Sequence, residues 1–174
     1  RSNSLYTKDA YIHFIPARQF QVYAGLLTVP ATRANLTSDT GLLGTDLTAL
    51  RPEFGFLSHC GRDTGVMLRG ILFKSVLDYR IGVFRGVQDE TYTEKSTGKK
   101  YEQNRKGYPR VSGRIQLSVM DAEDGYFLSE NYFLKRSIFG IGFGGDYQPG
   151  IFQNNKDYMA WSVDVPVNIP LTAM

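Results

Sequence analysis

From Gly65 to Phe84 apolar and polar residues are spaced so that the segment folds on paper into a two-faced hairpin. With Lys74 and Ser75 as a two-residue turn, Leu72 opposes Leu77, Gly70 opposes Tyr79, Leu68 opposes Ile81 and Val66 opposes Val83. Because side chains alternate across a strand, these residues share one apolar surface on which an aromatic ring lies over a glycine. The other face carries Arg69, Asp78 and Arg80, mixed with Met67, Ile71, Phe73 and Phe84. Arg69 and Arg80 stand directly opposite each other, a like-charge pairing that destabilises a packed core and that a water-filled lumen tolerates. A soluble sheet with one wet face and a barrel with a wet interior both fit this hairpin.

The same alternation recurs along the chain. Ala10 to Ile15 and Gln19 to Val29 predict a second hairpin around Pro16-Ala17-Arg18, with Phe14 against Phe20, Ile12 against Val22 and Ala10 against Ala24 on one face. His13, Gln21, Tyr11 and Tyr23 fall on the other. After Pro109, Val111, Gly113, Ile115, Leu117 and Val119 alternate with Ser112, Arg114, Gln116 and Ser118. Phe139, Ile141 and Phe143 alternate with Gly140, Gly142 and Gly144, which suits a strand with a bulky outer face and a small inner one, and Gly144-Gly145 suggests a bulge. Met159, Trp161, Val163 and Val165 form the apolar side of a further strand that Pro166 and Pro170 weaken.

Between these strands lie two long polar segments. Residues 31–62 lack sustained alternation and read as a long loop, with Leu42-Leu43 and Thr45 to Leu50 able to form a short helical turn. A loop of that length in a compact domain is usually functional or disordered. Residues 88–108 mix acidic and basic side chains and read as an exposed polar loop rather than a nucleic-acid patch. Asp121 to Gly125 makes an acidic turn, and Tyr126 to Leu134 is aromatic but irregular.

Composition narrows the class. Eighteen Gly, eleven Tyr, eleven Phe and one Trp in 174 residues favour an aromatic-rich antiparallel β protein with few helices. The net charge of +3 is too small to argue for nucleic acid. No run approaches about 18 consecutive apolar residues, which excludes a transmembrane helix and leaves a membrane barrel untouched. Cys60 is the single cysteine, so neither an intrachain disulfide nor a CxxC pair can form.

Several phrases then resemble, in order, the phosphate-selective porin O and P family. They are Gly25-Leu-Leu-Thr-Val-Pro-Ala-Thr-Arg33 with Leu36-Thr-Ser38, Gly61-Arg-Asp-Thr-Gly-Val-Met-Leu-Arg-Gly70, and Gly82-Val-Phe-Arg-Gly86. Gly113-Arg-Ile-Gln-Leu117, Asp124-Gly-Tyr-Phe127 and Phe139-Gly-Ile-Gly-Phe-Gly-Gly-Asp-Tyr-Gln148 follow. The resemblance spans about residues 10 to 165 and implies an all-β, antiparallel transmembrane β-barrel segment. About seven or eight strands would belong to a larger, sixteen-stranded barrel, so a partial chain or completion by other chains is expected. It further implies a bacterial outer-membrane channel, a homotrimer in contact with outer-membrane lipid, passing small hydrophilic or anionic solutes such as phosphate. No enzymatic activity, cofactor, metal or nucleic-acid partner is expected.

The candidate site residues follow from charge. Arg69, Arg80 and Arg114 would face the lumen and favour anions, an effect that Asp78 and Asp164 oppose. Arg33, Arg51 and Arg62, in or beside the long loop, are candidates for a constriction, against the plainer reading of exposed or loop-anchoring arginines. His13 and His59 lack metal-ligand spacing, and His59-Cys60 beside Asp63 reads as ordinary loop. Gly140 to Gly145 lacks the Lys-Ser/Thr of a phosphate-binding loop. Trp161 and Tyr79, Tyr126, Tyr132, Tyr147 and Tyr158 are candidates for interfacial aromatic girdles. The alternatives are a soluble β-sandwich or β-barrel acting as a ligand-binding or structural module, and a non-conducting outer-membrane scaffold for a partner.

Overall fold

Alternating sequence becomes an antiparallel sheet of successive strands. The computed structural model describes residues 7, 9–38, 61–88, 90–93, 98, 100–104, 106–132, 135–152 and 156–170. Its strands are β1 (Ala10–Ala17), β2 (Phe20–Thr28), β3 (Arg62–Leu72), β4 (Leu77–Phe84), β5 (Glu90–Thr93), β6 (Lys100–Gln103), β7 (Arg110–Ser118), β8 (Ile138–Phe152), β9 (Lys156–Asp164) and β10 (Val167–Asn168). One sheet runs β1-β2-β3-β4-β7-β8, and β9 and β10 pair with successive parts of β8 on either side of Pro166. The sheet is open among the described residues, with β1 at one edge and β9–β10 at the other.

The β3–β4 hairpin has the expected register, with Leu72 opposite Leu77, Gly70 opposite Tyr79 and Arg69 opposite Arg80. Lys74 and Ser75 both take positive φ (55° and 77°), as a primed two-residue turn requires, and Val76 N–H donates to the Phe73 carbonyl. Phe73 shares that left-handed geometry and is exposed, so it belongs to the turn rather than to the inner face. Met67, Ile71 and Phe84 do lie on the inner face and are buried.

The first hairpin departs from its expected pairing. Phe14 lies opposite Val22, Ile12 opposite Ala24 and Ala10 opposite Leu26, a slip of two residues. The chain reverses at Arg18-Gln19, and a register irregularity falls between Phe14 and Ala17, around Pro16. An edge strand accommodates a proline that has no N–H to donate. A two-residue slip preserves the faces, so Ile12 and Phe14 remain on the apolar side.

Gly144 and Gly145 form no bulge: β8 pairs regularly through both, and its irregularity with β9 lies between Gln148 and Phe152. Residues 88–108 contain the short β5–β6 hairpin rather than only loop. Its base is tied down by Asn104, whose side-chain amide donates to the Val87 and Tyr108 carbonyls at 2.7 and 2.8 Å. Gln148 of β8 donates to the same two carbonyls at 2.8 and 3.0 Å.

The two faces of the sheet have opposite fates. Val66, Leu68, Ile81, Val83, Val111, Ile115, Leu117, Ile141, Phe143, Trp161 and Val163 form one exposed apolar surface. The polar face is covered by two inserted segments, and the small apolar core lies where they meet the sheet, formed by Tyr23, Leu27, Met67 and Phe84 of the strands and Val29 and Ala31 of the first insert, with Tyr126 of the second against it.

Candidate functional site: the polar face and its two inserts

Register places the arginines in one row. Gln21, Arg69, Arg80, Arg114, Gly144 and Ser162 lie side by side across β2, β3, β4, β7, β8 and β9. The three arginines expected on one face therefore share it at the same height. They are 2, 2 and 3 % exposed, so none of them meets open solvent.

Each is matched to an acid. Asp78, two residues before Arg80 on the same face, takes Arg69 Nη2 at 2.6 Å and Arg80 Nη2 at 3.2 Å. Asp164 takes Arg114 through both terminal nitrogens, at 2.6 and 2.7 Å. Around the row, Arg110 pairs with Asp146 and lies 3.8 Å from Asp63, and Arg62 pairs with Asp9 at 3.1 Å. A buried guanidinium left unpaired is strongly destabilising, so the carboxylates explain how so many cations fit under cover.

The first insert continues from β2. Thr32 caps a four-residue helix, α1 (Arg33–Leu36), its side chain accepting from the Asn35 N–H. The Asn35 side chain donates to the Val29 and Gly61 carbonyls at 2.6 and 2.9 Å, closing the described ends of the segment together. The glycines of β8 make room for it. A Cβ on Gly144 would lie 2.0 Å from the Ala31 carbonyl oxygen, and Ser162 Oγ donates to that same oxygen at 2.9 Å. The small inner face of this strand is thus occupied by backbone from residue 31 and, at Gly142, by the Arg114 side chain.

The second insert runs between β7 and β8. Its backbone carbonyls meet the arginine row: Asp124 O accepts from Arg69 Nη2 at 3.0 Å, Gly125 O from Arg80 Nη2 at 3.1 Å and Tyr126 O from Arg80 Nη1 at 2.6 Å. Tyr126 packs against Tyr11 and Tyr23 with ring centroids 5.2 Å apart in each case. The two inserts enter from opposite ends of the strands and meet over the sheet. A parallel bridge joins Thr37 to Leu128, with Ser38 N–H donating to Leu128 O at 3.0 Å and Leu128 N–H to Leu36 O at 2.9 Å.

Glu123 ties the two inserts and the sheet at one point. Its carboxylate accepts two 2.6 Å bonds from Arg33, one of 2.7 Å from Gln116 and one from the Tyr132 hydroxyl. Burial alone would raise this carboxyl, but Arg33, Tyr132 and Gln116 hold it below the ordinary carboxylate range. Burial likewise works against the Arg33 cation, and Glu123 more than offsets it, so Arg33 holds its proton more tightly than usual. The Tyr132 hydroxyl is pushed up to about 12 by burial and by its bond to Glu123.

Of the constriction candidates, Arg33 belongs to the insert over the polar face and Arg62 is the first residue of β3, opposite Thr28. Arg51, the helical turn expected between residues 42 and 50, and His59-Cys60 lie outside the described residues. His13 sits on the polar side of β1, its ring stacked on Tyr23 and bonded to Gln21 at 3.1 Å. Among the girdle candidates, Tyr147 and Trp161 are on the exposed apolar face, whereas Tyr126, Tyr132 and Tyr158 turn toward the inserts or the inner face. Glu123, Arg110 and Asp146 were not singled out by sequence. Arg110 keeps phase with Ser112 and Arg114, so its face was readable; nothing local distinguishes Glu123 from Asp121.

Among the described residues no helix is long and apolar enough to cross a membrane, a fact without bearing on strands, and no cluster of His, Cys, Asp or Glu is arranged to hold a metal ion. No protein-family model, curated protein or solved structure matches this chain.

Proposed function

We propose that the chain forms part of the wall of a bacterial outer-membrane porin, a water-filled β-barrel through which small hydrophilic solutes diffuse passively. The observation that carries this reading is the inversion of the sheet: its apolar face is exposed over most of its width, and its charged face is enclosed with the inserts. In water such a surface far exceeds what a monomer leaves bare, and in lipid it is the expected outer face of a barrel. A soluble sandwich would need a second apolar layer over Leu68, Ile81, Ile115 and Val163, and no described residues supply one.

Barrel closure then requires further strands on the free edges of β1 and β9, from the same polypeptide or from other copies, because an open edge cannot persist in hydrocarbon. A trimer is the expectation carried by the family resemblance. General diffusion of polar solutes comes first in this reading. A phosphate or other anion preference is second, since the arginines that would confer it are each matched by a carboxylate. A non-conducting scaffold is favoured by one observation, the cover that the inserts place over the arginine row.

Two measurements test the proposal. Spin labels at Leu68, Ile81, Ile115 and Val163 in lipid vesicles should be reached by lipid-soluble quenchers and protected from water-soluble ones. Planar-bilayer recordings of the reconstituted protein should show discrete ohmic steps. Labels shielded from both quenchers would return the protein to the sandwich class, and lipid exposure without conductance would make it a scaffold.

A further inference from the structure

Two arginines facing each other across a β ladder repel, yet Arg69 and Arg80 are both buried. What surrounds them removes the conflict and gives the pair a task. Asp78 sits between them and fixes both guanidinium groups from below, through Arg69 Nε and Nη2 and Arg80 Nε and Nη2. The second N–H of each Nη2 and an N–H of Arg80 Nη1 meet three consecutive backbone carbonyls, those of Asp124, Gly125 and Tyr126. Carbonyls of an irregular segment that lies over a sheet face would otherwise need water or ladder partners. Two charged forks from adjacent strands satisfy all three, and hydrogen bonds with one charged partner are roughly twice as strong as neutral ones.

We infer that Arg69 and Arg80 are positioning residues that clamp the Asp124–Tyr126 backbone inside the barrel and so set its bore, rather than groups that select the solute by charge. This rests on the porin reading for the word bore, while the clamp itself rests on the hydrogen-bond geometry. Three features agree with it. Tyr126 presents its ring to Arg80, with the guanidinium carbon 6.0 Å from the ring centroid, and its hydroxyl accepts from the Thr28 N–H at 3.2 Å. Leu128, two residues on, is 2 % exposed and bridged to the first insert. Asp78 and the carbonyls engage Nε and Nη2 of Arg69 and Nε, Nη1 and Nη2 of Arg80, and both residues are only 2 % exposed.

The decisive variants keep the charge and change the shape. Lysine retains the cation but cannot span two carbonyls and a carboxylate with a planar fork. Arg80→Lys and the Arg69→Lys/Arg80→Lys double variant should therefore raise single-channel conductance and leave the reversal potential in a salt gradient unchanged. A selectivity role predicts the reverse: lysine preserves conductance, and only loss of the charge in Arg80→Gln shifts the reversal potential. A second measurement does not need conduction. Hydrogen exchange of the amides from Ala122 to Glu130 should accelerate about tenfold or more in the lysine variants, the scale expected when a charged hydrogen bond holding a segment is lost. Amides of β3 and β4 should stay protected, which also shows that the variants fold.

Unchanged exchange and unchanged conductance in the double variant would overturn the clamp, as would a shifted reversal potential at unchanged conductance. Faster exchange in a protein that never conducts would uphold the clamp and remove the porin reading.

Discussion

At the scale of single residues, what a strand position tolerates depends on its face and on what lies over that face: Gly144 is on the inner face beside Arg114 and Ser162, and Gly145 on the outer face beside Gly113 and Trp161. Gly144 and Gly145 are neighbours with opposite requirements. A Cβ on Gly144 would collide with the Ala31 carbonyl oxygen, whereas one on Gly145 finds nothing nearer than 3.9 Å. Gly144→Val should destabilise the protein by about 1–3 kcal/mol, the usual range for forcing atoms into a filled site, and Gly145→Ala should be near neutral. Urea unfolding of the two variants in the same detergent checks the contrast, and equal effects would mean that the first insert does not rest on β8. The alternation of glycine with aromatics was visible in the sequence; that Ala31 fills the space was not, because the contact joins positions far apart along the chain.

At the scale of elements, the two inserts are a coupled pair held at Glu123. Its carboxyl is depressed in the folded protein relative to its ordinary value of 4.5, so its contribution is complete above that value and is lost as pH falls through the lower folded one. Hydrogen exchange of residues 122–130 should accordingly be steady from neutral pH down to about 5, after correction for its intrinsic pH dependence, and rise on further acidification. Glu123→Gln should exchange faster at neutral pH and lose most of that acid step. Because Asp78 and Asp164 are also carboxylates on this face, the difference between wild type and Glu123→Gln is the informative quantity. An acid step of equal size in both would exclude Glu123 as the tie. The acidic turn at residues 121–125 was legible as a turn, but its role was not. Only tertiary structure places the Arg33, Gln116 and Tyr132 side chains around one of its three carboxylates.

At the scale of the whole molecule, a sheet with its polar side enclosed and its apolar side bare is stable only where the surroundings are apolar. Ile115 lies within that bare side, between Tyr79 of β4 and Phe143 of β8. If the surface faces lipid, Ile115→Lys should cost about 2–4 kcal/mol near the bilayer midplane in unfolding measurements on vesicles. A change within about 0.5 kcal/mol, typical of a water-exposed site, would place this face in water.

By itself the sequence determined the period-two faces, the all-β class and the β3–β4 register, because each depends on residues close in the chain: a two-residue turn and the alternation on either side of it. It determined the faces of the first hairpin but not its register, since an even slip around Pro16 leaves every side chain on the same side. The tertiary structure alone decided what becomes of the polar face. Whether the buried arginines line open water or hold two inserted segments depends on contacts such as Arg33 with Glu123 and Arg80 with Tyr126, between residues far apart along the chain that the assembled sheet and inserts bring together and no local pattern records.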